Sequence, residues 1–450
     1  MDTIHMSSLP PTFKQAVQIT RSLNIRYLWI DSLCIIQDSR EDWEKESMTM
    51  GEVYGRSYLT IAARAARNAR DGCFIARAVS GTSICQLEYS SKSEPTIPRG
   101  KIYIIDPSFL IEQANHSPLD TRGWVLQEKV LSPRIIHYGA QQVYWECRQS
   151  TYRQDAKYTP PLTNRLKQAI DIHTPFKLAF RGIKGSREFV YPPEWSEREL
   201  ELAVRMAQWY TLVGEYSQRK LTYTSDKLPA LAGLARTFAS ATGYQYLAGL
   251  WKEDLLLGLL WYRRKRLLSG WPDEPVSDKL PSWSWARFMG PLTLYGSHQG
   301  LLIVLKPCCE VLEVSSPGSG NTLLGAYGEV SSVKITMKAR ILEVTPREIT
   351  EGALDLLPMA TLHDRDGKEV GNLQYDQQLH HAEPPAKELF CMVIQGAVDE
   401  PPLGLAVLPV LGQHTTYTRV GFVWFRNMPP KHYGGSDLIW KAEPTVVHLV

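Results

Sequence analysis

Residues 26–63 read RYLWIDSLCIIQDSREDWEKESMTMGEVYGRSYLTIAA, and this stretch decides the fold of the N-terminal part of the chain. The apolar run at 27–30 predicts a strand buried on both faces, as in a parallel sheet. A helix is predicted to begin after Asp42 as its N-cap, and a second strand is predicted at 58–62. With an amphipathic helix predicted at 12–23, the alternation of helix and strand indicates an α/β layer.

Two acidic side chains in this stretch are candidates for a site. Asp31 follows the predicted strand, and ligands of open α/β sheets bind outside the carboxyl ends of strands. Asp31 can equally satisfy the backbone of the next turn or cap a short helix. Glu46 falls between Met50 and Val53 on the apolar side of its helix, where a carboxylate is costly unless it is paired, hydrogen-bonded or lining a cavity. A structural glutamate with a partner and a functional glutamate both fit this position.

A second unusual helix is predicted at 122–131, RGWVLQEKVL. Gln127 and Glu128 share one side of it with apolar residues, so they can belong to a polar pocket together with Arg122. Arg122 can also pair with a carboxylate and hold two helices together. A hairpin is predicted from 134–138 and 142–147 around Gly139. His137 on its first strand has no acidic partner visible in the sequence nearby, which favours a structural histidine.

The remaining chain is predicted to form three further regions. We expect a first domain at 1–150, a connector or variable loop at 151–196, a helical region at 197–290 and a β-rich region at 291–450. Helices are predicted at 196–216, 230–240 and 251–264, followed by an extended aromatic piece, PSWSWA, at 281–286. Strands are predicted at 301–305, 334–344, 389–398, 405–411 and 419–425, in a sandwich or partial barrel.

Composition excludes several functional classes. The chain has 450 residues, 44% of them hydrophobic, and a net charge of +3, which predicts no nucleic-acid or membrane-surface binding. Seven scattered cysteines without a CxxC pair support neither a disulfide framework nor a zinc site. No signal peptide or long apolar run is visible, so a soluble cytoplasmic protein is expected. The P-loop, GxSxG, HExxH and GxGxxG motifs are missing.

Several motifs of the chain together resemble the fungal heterokaryon incompatibility (HET) domain family over roughly residues 9–150. The matching pieces are LWIDSLCIIQ at 28–37, Asp42-Trp43 with Glu46, Met50 and Val53-Tyr54, TIAA at 60–63, Arg122-Gly123-Trp124 with Gln127-Glu128, Leu131-Ser132 and Arg134, and Trp145-Glu146-Cys147. Later stretches at 223–235, 248–251 and 281–285 are similar to the tails of many such fungal proteins.

The resemblance implies a role in non-self recognition, in which fusion of incompatible cells triggers programmed cell death. HET domains are distantly similar to Toll/interleukin-receptor (TIR) domains, which have a flavodoxin-like α/β fold. Some TIR domains cleave NAD at the nicotinamide bond with a helical glutamate. By this similarity Glu46 is the candidate catalytic residue, and Asp31, Arg122, Gln127 and Glu128 are candidate substrate-binding residues. NAD would be a substrate, and no cofactor or metal is expected.

The chain departs from the family pattern at its beginning. Family members usually carry an upstream strand with a Leu-Ser-Tyr-x-Trp-Gly motif, which is missing before the helix at 12–23. We therefore expect an incomplete TIR-like domain with an exposed sheet edge. Two hypotheses follow: an effector that cleaves NAD, and a non-catalytic module that signals by self-association. Under either hypothesis the incompatibility partner is another, unknown protein or is recognised by the C-terminal region.

Overall fold

The structure is a computed structural model, and the chain forms two compact units, Met1–Ile183 and Lys184–Val450. It describes residues 3–76, 85–89, 100–104, 117–140, 143–147, 151–153, 196–263, 270–295, 306–315, 327, 333–347, 359–377, 388–396, 401–426 and 442–450. Most of the predicted connector at 151–196, most of the irregular segment at 78–100 and the predicted strand at 301–305 lie outside these residues. Among the described helices, none has the length and apolar character that crossing a bilayer requires.

The N-terminal unit contains a four-stranded sheet and a separate hairpin. Its strands are β1 (Thr60–Ala62), β2 (Cys85–Tyr89), β3 (Gly100–Ile104), β4 (Arg134–Tyr138), β5 (Val143–Cys147) and β6 (Thr151–Arg153). The sheet has the order β1-β4-β5-β6, while β2 pairs with β3. Only β1 and β4 run parallel, and β4, β5 and β6 are antiparallel neighbours. The predicted hairpin is confirmed, but the mostly parallel sheet of a TIR or flavodoxin-like fold is not confirmed.

In the described part of this unit, four helices accompany the sheet: α1 (Pro11–Ser22), α2 (Asp31–Cys34), α3 (Arg40–Arg56) and α4 (Val125–Leu131). Helix α1 confirms the predicted amphipathic helix. Helix α3 begins earlier than predicted, because Ser39 is its N-cap and accepts a hydrogen bond from the backbone N–H of Asp42 at 3.2 Å. The Asp42 carboxylate instead accepts from the N–H of Ile36 at 2.8 Å. Helix α4 is shorter than the predicted helix at 122–131.

The prediction of a buried strand at 27–30 is wrong. This segment forms no ladder, and Tyr27 is 82% exposed. The sheet continues from β1 toward β4, and residues of segment 25–30 line a cavity that β1 also lines. Trp29 is held by an edge contact with Tyr54 of α3, with ring centroids 5.7 Å apart. The apolar run at 27–30 therefore lines a cavity instead of forming a buried strand.

The C-terminal unit begins with a helical region around a set of buried tryptophans. Its helices are α5 (Glu197–Ser217), α6 (Pro229–Thr242) and α7 (Leu255–Gly258), with short strand pairs β7 (Tyr246–Leu247) and β8 (Leu250–Trp251), and β9 (Trp261–Arg263) and β10 (Leu292–Leu294). Helices α5 and α6 confirm two predictions. The predicted helix at 251–264 is wrong, because Trp261 and its neighbours pair with β10. The tryptophans of 281–286 are fully buried.

The rest of this unit is a β-rich region that contains a closed barrel. Its strands are β11 (Lys306–Pro307), β12 (Glu310–Ser315), β13 (Lys334–Ala339), β14 (Ile341–Arg347), β15 (Met359–His363), β16 (Glu369–Tyr375), β17 (Leu389–Gly396), β18 (Leu403–Pro409), β19 (Thr416–Phe425) and β20 (Thr445–Leu449). Strands β14, β15, β16, β19, β18 and β17 pair in that order, and β17 returns to β14. All six pairings are antiparallel, and their inward side chains form one apolar core. The predicted β-rich region is confirmed as a six-stranded barrel with added strands.

Candidate functional site

A cavity of about 760 Å³ lies in the N-terminal unit beside strand β1. Residues of segment 25–30 and residues 57–64 line it, together with residues of α1, α3, α4 and β4 and with Leu119 and Asp120. We call it the β1 cavity. Its volume falls within the roughly 300–1,000 Å³ that is common for small-molecule sites.

Tyr54 is the centre of a charged group at the wall of this cavity. Its hydroxyl donates a hydrogen bond to the carboxylate of Glu128, which also lines the cavity. Burial raises the pKa of Tyr54 well above its ordinary value, and the charges of Glu128 and Asp31 raise it further. The positive charge of Arg122 lowers the pKa of Tyr54. Three of the predicted site residues therefore lie within electrostatic range of one hydroxyl.

Asp31 occupies the first turn of the short helix α2 rather than the end of a strand. Its Oδ1 accepts a hydrogen bond from the N–H of Ser32 at 2.7 Å, so Asp31 satisfies the following turn. Its charge nevertheless acts on Tyr54. The local backbone contact is thus present, whereas Asp31 itself is not among the residues that line the β1 cavity.

Glu46 is separated from this group. It lies on α3 two turns before Tyr54, which is about 12 Å along the helix axis, and it does not line the β1 cavity. The side chain is half-buried. Its backbone carbonyl accepts a hydrogen bond from Thr49 Oγ1 at 3.0 Å, whereas its carboxylate has no partner among the described residues. Gln127 is fully buried within α4 and does not line the cavity either.

Helix α4 is fixed against β1 by hydroxyl contacts. Ser132 Oγ lies 2.6 Å from Thr60 Oγ1 and donates to the backbone carbonyl of Glu128 at 2.6 Å. At the other end of α4, the ring of Trp124 meets the edge of Trp43 from α3, with centroids 6.3 Å apart. The side chain of Glu128 is therefore carried on a helix that is held at both ends.

A second polar group lines the cavity and was not predicted from the sequence. Arg64 is almost fully buried and pairs with Asp120, with Nη1 3.3 Å from Oδ1. The ammonium of Lys129 lies 4.0 Å from the same carboxylate. His137, also in the lining, is hydrogen-bonded through Nε2 to Glu146 Oε2 at 3.0 Å.

The expectation that His137 lacks an acidic partner is wrong. In the β4–β5 hairpin His137 lies opposite Tyr144, and Ile135 lies opposite Glu146, so Glu146 reaches His137 diagonally across the strands. The predicted hairpin already implied a contact between His137 and Glu146, because its register places both side chains on the same face of the sheet. No comparable local signal connects Arg64 to Asp120, which are 56 residues apart.

Residues 1–128 match the family model described as Heterokaryon incompatibility protein (HET). The match includes α1, α3, β1 and Glu128, and stops before the β4–β5 hairpin. Comparison with curated proteins and with solved structures gave no match.

Proposed function

We propose that this chain, whose residues 1–128 match the heterokaryon incompatibility (HET) family model, acts in fungal non-self recognition and that its N-terminal unit cleaves NAD at the nicotinamide bond. The outcome in the cell would be programmed death after fusion of incompatible cells. The family match supports the incompatibility role, and the NAD chemistry is our extension of it.

One observation carries the catalytic part of this proposal. Asp31, Arg122 and Glu128 lie within electrostatic range of the Tyr54 hydroxyl, and Tyr54 and Glu128 line a cavity large enough for a small molecule. Cleavage of a glycosidic bond passes through an oxocarbenium-like transition state, which a nearby carboxylate stabilises. In this proposal Glu46 supplies that carboxylate, and Asp31, Arg122 and Glu128 bind the substrate, whereas the buried Gln127 has no access to it. Glu128 is the competing candidate for the catalytic carboxylate, because it lines the cavity.

The test is release of nicotinamide from NAD by the purified full chain. Glu46→Gln keeps the size of the side chain and removes its charge, and we expect it to lower kcat about 10²–10³-fold through lost electrostatic stabilisation. Glu52→Gln is the matched control, because Glu52 is exposed on the same helix and pairs with Arg56 at 3.5 Å. It is expected to leave the rate unchanged.

Glu128→Gln separates the two carboxylates. Loss of turnover in this variant but not in Glu46→Gln would transfer the catalytic role to Glu128. A wild-type chain that is folded and releases no nicotinamide at high protein concentration contradicts NAD cleavage.

A second candidate function, non-catalytic signalling by self-association, is favoured by a different observation. In the described part of the chain β1 has a neighbouring strand on one side only. An edge strand presents unpaired backbone groups that can pair with another chain. We therefore propose β1 as the contact through which copies of the N-terminal unit associate.

Ile61 in the middle of β1 provides the test. A charged side chain at a sheet edge opposes pairing, so Ile61→Lys is expected to weaken self-association at least about tenfold. Sedimentation over a range of protein concentrations measures this, with circular dichroism as the check that the variant is folded. Leu411→Lys, at a fully exposed position of the C-terminal unit, is the control. Equal association of all three proteins contradicts a role for β1.

A further inference from the structure

The β1 cavity runs along the free edge of β1. Successive residues of a strand point to opposite faces of a sheet, so a cavity above one face is lined by every second residue. The cavity meets β4 in this way, because Ile135 and His137 line it and the residue between them does not. Along 57–64, which contains β1, every residue lines the cavity. A cavity that meets consecutive residues lies beside the strand, at the edge that faces away from β4.

Segment 25–30 forms a second border of main chain. Each residue of 27–30 lines the cavity, and Ile30 has an extended backbone with a φ of −135° and a ψ of 122°. Among the described residues, none accepts a hydrogen bond from the backbone N–H groups of 26–30 or donates one to the carbonyls of 26–29. In the described sheet β1 pairs only with β4, so its backbone groups on the other side belong to no ladder. The cavity therefore lies between two segments whose backbone hydrogen-bonding groups are available.

Large apolar side chains are exposed where the cavity meets the surface. Tyr27 is 82% exposed and Tyr58 is 62% exposed, although both line the cavity. Leu23, which follows α1, is also exposed and also belongs to the lining. Exposed apolar side chains that are grouped around a concave site indicate a surface that binds a partner.

The charges of the lining are balanced. Arg64 and Lys129 carry positive charges, and Asp120 and Glu128 carry negative charges. Asp120 forms ion pairs with both Arg64 and Lys129. An uncharged occupant is complementary to a lining of this kind, because it leaves these pairs undisturbed.

We propose that the β1 cavity is a slot for one β-strand, into which another protein inserts an uncharged, largely apolar segment. The backbone of this segment pairs with β1 on one side and with segment 25–30 on the other. Its side chains contact the residues of α1, α3 and α4 that line the cavity. A peptide fits these borders better than a small molecule does, because its N–H and C=O groups serve two rows of backbone groups.

This inference goes beyond both candidate functions and stands if neither of them holds. A strand inserted in the slot occupies the β1 cavity and the free edge of β1. It therefore excludes NAD from the cavity and other copies of the chain from this edge.

A synthetic strand tests the proposal on the full chain. The probe is the capped peptide KVTVYVTK, whose central residues favour β structure and whose lysines keep it in solution. Two derivatives carry N-methyl groups on alternate residues, one on the valines and the other on the threonines and the tyrosine. Each derivative loses the N–H groups along one edge of the strand and keeps every side chain.

Calorimetry gives the Kd of each peptide. Insertion between two segments predicts that both derivatives bind at least about tenfold more weakly than the parent peptide, because each loses hydrogen bonds on one side. Addition to a simple open edge predicts that only one derivative binds more weakly.

Hydrogen exchange locates the bound peptide. Alternate backbone N–H groups in 26–30 and in β1 are expected to exchange at least about tenfold more slowly when the parent peptide is bound, since hydrogen bonding opposes exchange. The N–H groups of α5 in the C-terminal unit serve as the reference and are expected to exchange at an unchanged rate.

Ala16→Phe is designed to obstruct the slot from α1. Ala16 is buried and lines the cavity, so the added ring takes space that the peptide needs. Gln18→Phe adds the same ring at an exposed position of the same helix and is the matched control. We expect Ala16→Phe to weaken binding of the parent peptide at least about tenfold and Gln18→Phe to leave its Kd unchanged. Circular dichroism checks that both variants are folded, and the comparison of peptides on the wild-type chain depends on neither variant.

Several outcomes would overturn the proposal. Absence of binding by the parent peptide at millimolar concentration would show that the slot takes no strand. Equal Kd values for all three peptides would leave only apolar contact, and weaker binding of a single derivative would place the peptide at an open edge. Unchanged exchange in 26–30 would place it elsewhere on the chain. Nicotinamide release and sedimentation are measured without peptide, so failure of the slot and failure of either candidate function are distinguishable.

Discussion

At the scale of single residues, the C-terminal unit holds an ammonium group in its interior. Lys227 is 2% exposed, and its Nζ lies 5.4 Å from the ring centroid of Tyr216 and 5.5 Å from that of Trp285. The Tyr216 hydroxyl donates to the backbone carbonyl of Lys227 at 2.6 Å, which fixes the turn that carries the side chain. Burial, and then the charge of Arg263, lower the pKa of Lys227 to about 7. Contact with two aromatic faces offsets only part of the cost of burying the charge.

A pH-dependent stability follows from this pKa. Between pH 10.5, the ordinary pKa of lysine, and pH 7, the unfolded chain holds a proton that folded Lys227 releases. The free energy of unfolding is therefore expected to fall as the pH is lowered through this range, and to change little through this group below pH 7. Urea denaturation followed by tryptophan fluorescence at several pH values measures it.

Lys227→Met is expected to remove this contribution and to stabilise the unit at pH 7 by about 1–4 kcal/mol, because an apolar side chain replaces a buried charge. Lys220→Met, at an exposed position seven residues earlier, is the control and is expected to keep the wild-type pH dependence. A Lys227→Met protein that is less stable than the wild type at pH 7 would show that the aromatic contacts outweigh the desolvation.

The candidate site shows what single residues reveal in a sequence. Glu128 and Asp31 could be predicted, because a carboxylate among apolar neighbours or after an apolar run is locally unusual. The Arg64–Asp120 pair could not, since its members look like ordinary charged residues until the chain brings them together. Glu46 was locally as unusual as Glu128, yet only Glu128 lines the cavity. Burial on a helix face does not specify which neighbour covers that face.

At the scale of elements, two short segments of the C-terminal unit interlock. Ser284 Oγ donates to the carbonyl of Ala248 at 2.6 Å, and Trp285 Nε1 donates to the carbonyl of Gly249 at 2.9 Å. Gly249 has a φ of +99°, and a Cβ at this position would lie 2.7 Å from Trp285 Nε1. Glycine is therefore required here both for the backbone conformation and for the approach of the indole.

Gly249→Ala is expected to destabilise the C-terminal unit by about 2–4 kcal/mol, the combined effect of a strained φ and overpacking. Gly243→Ala is the matched control, because Gly243 has a φ of +76° and no atom within 4 Å of the added Cβ. It is expected to cost about 1–2 kcal/mol. Thermal unfolding of both variants measures the difference, and equal losses would contradict a role for the Trp285 contact.

Elements with strong local signals were predictable from the sequence. Helix α5 begins at Ser196, where the side chains of Ser196 and Glu199 form a capping box that fixes the first turn. The segment at 251–264 has an equally apolar pattern but forms a short helix and then β9. Periodicity could not predict this outcome, because the choice depends on pairing with β10, some 30 residues further along the chain. The apolar run at 27–30 failed for the same reason, since its expected neighbour in the sheet is replaced by a cavity.

At the scale of the whole molecule, the two units differ in how much of their strand arrangement could be predicted from local sequence patterns. The strands of the barrel are long, apolar and separated by turns, so a β-rich unit could be predicted, although closure of β17 onto β14 could not. In the N-terminal unit the sheet is small, and its order depends on a parallel contact between β1 and β4 across more than 70 residues. The family resemblance falls within this unit, while its sheet topology needed the structure.

The position of β20 in the large sheet has a consequence for biosynthesis. Residues Thr445–Leu449 pair with β13 on one side and with β19 on the other, and the carbonyl of Val450 accepts a hydrogen bond from the N–H of Ser282 at 3.1 Å. Translation must therefore reach Leu449 before the sheet of this unit can be completed. At about 5–20 residues per second, the N-terminal unit emerges tens of seconds earlier. During that interval a nascent chain carries the N-terminal unit beside an incomplete barrel, whose exposed strands are the part that chaperones have to protect.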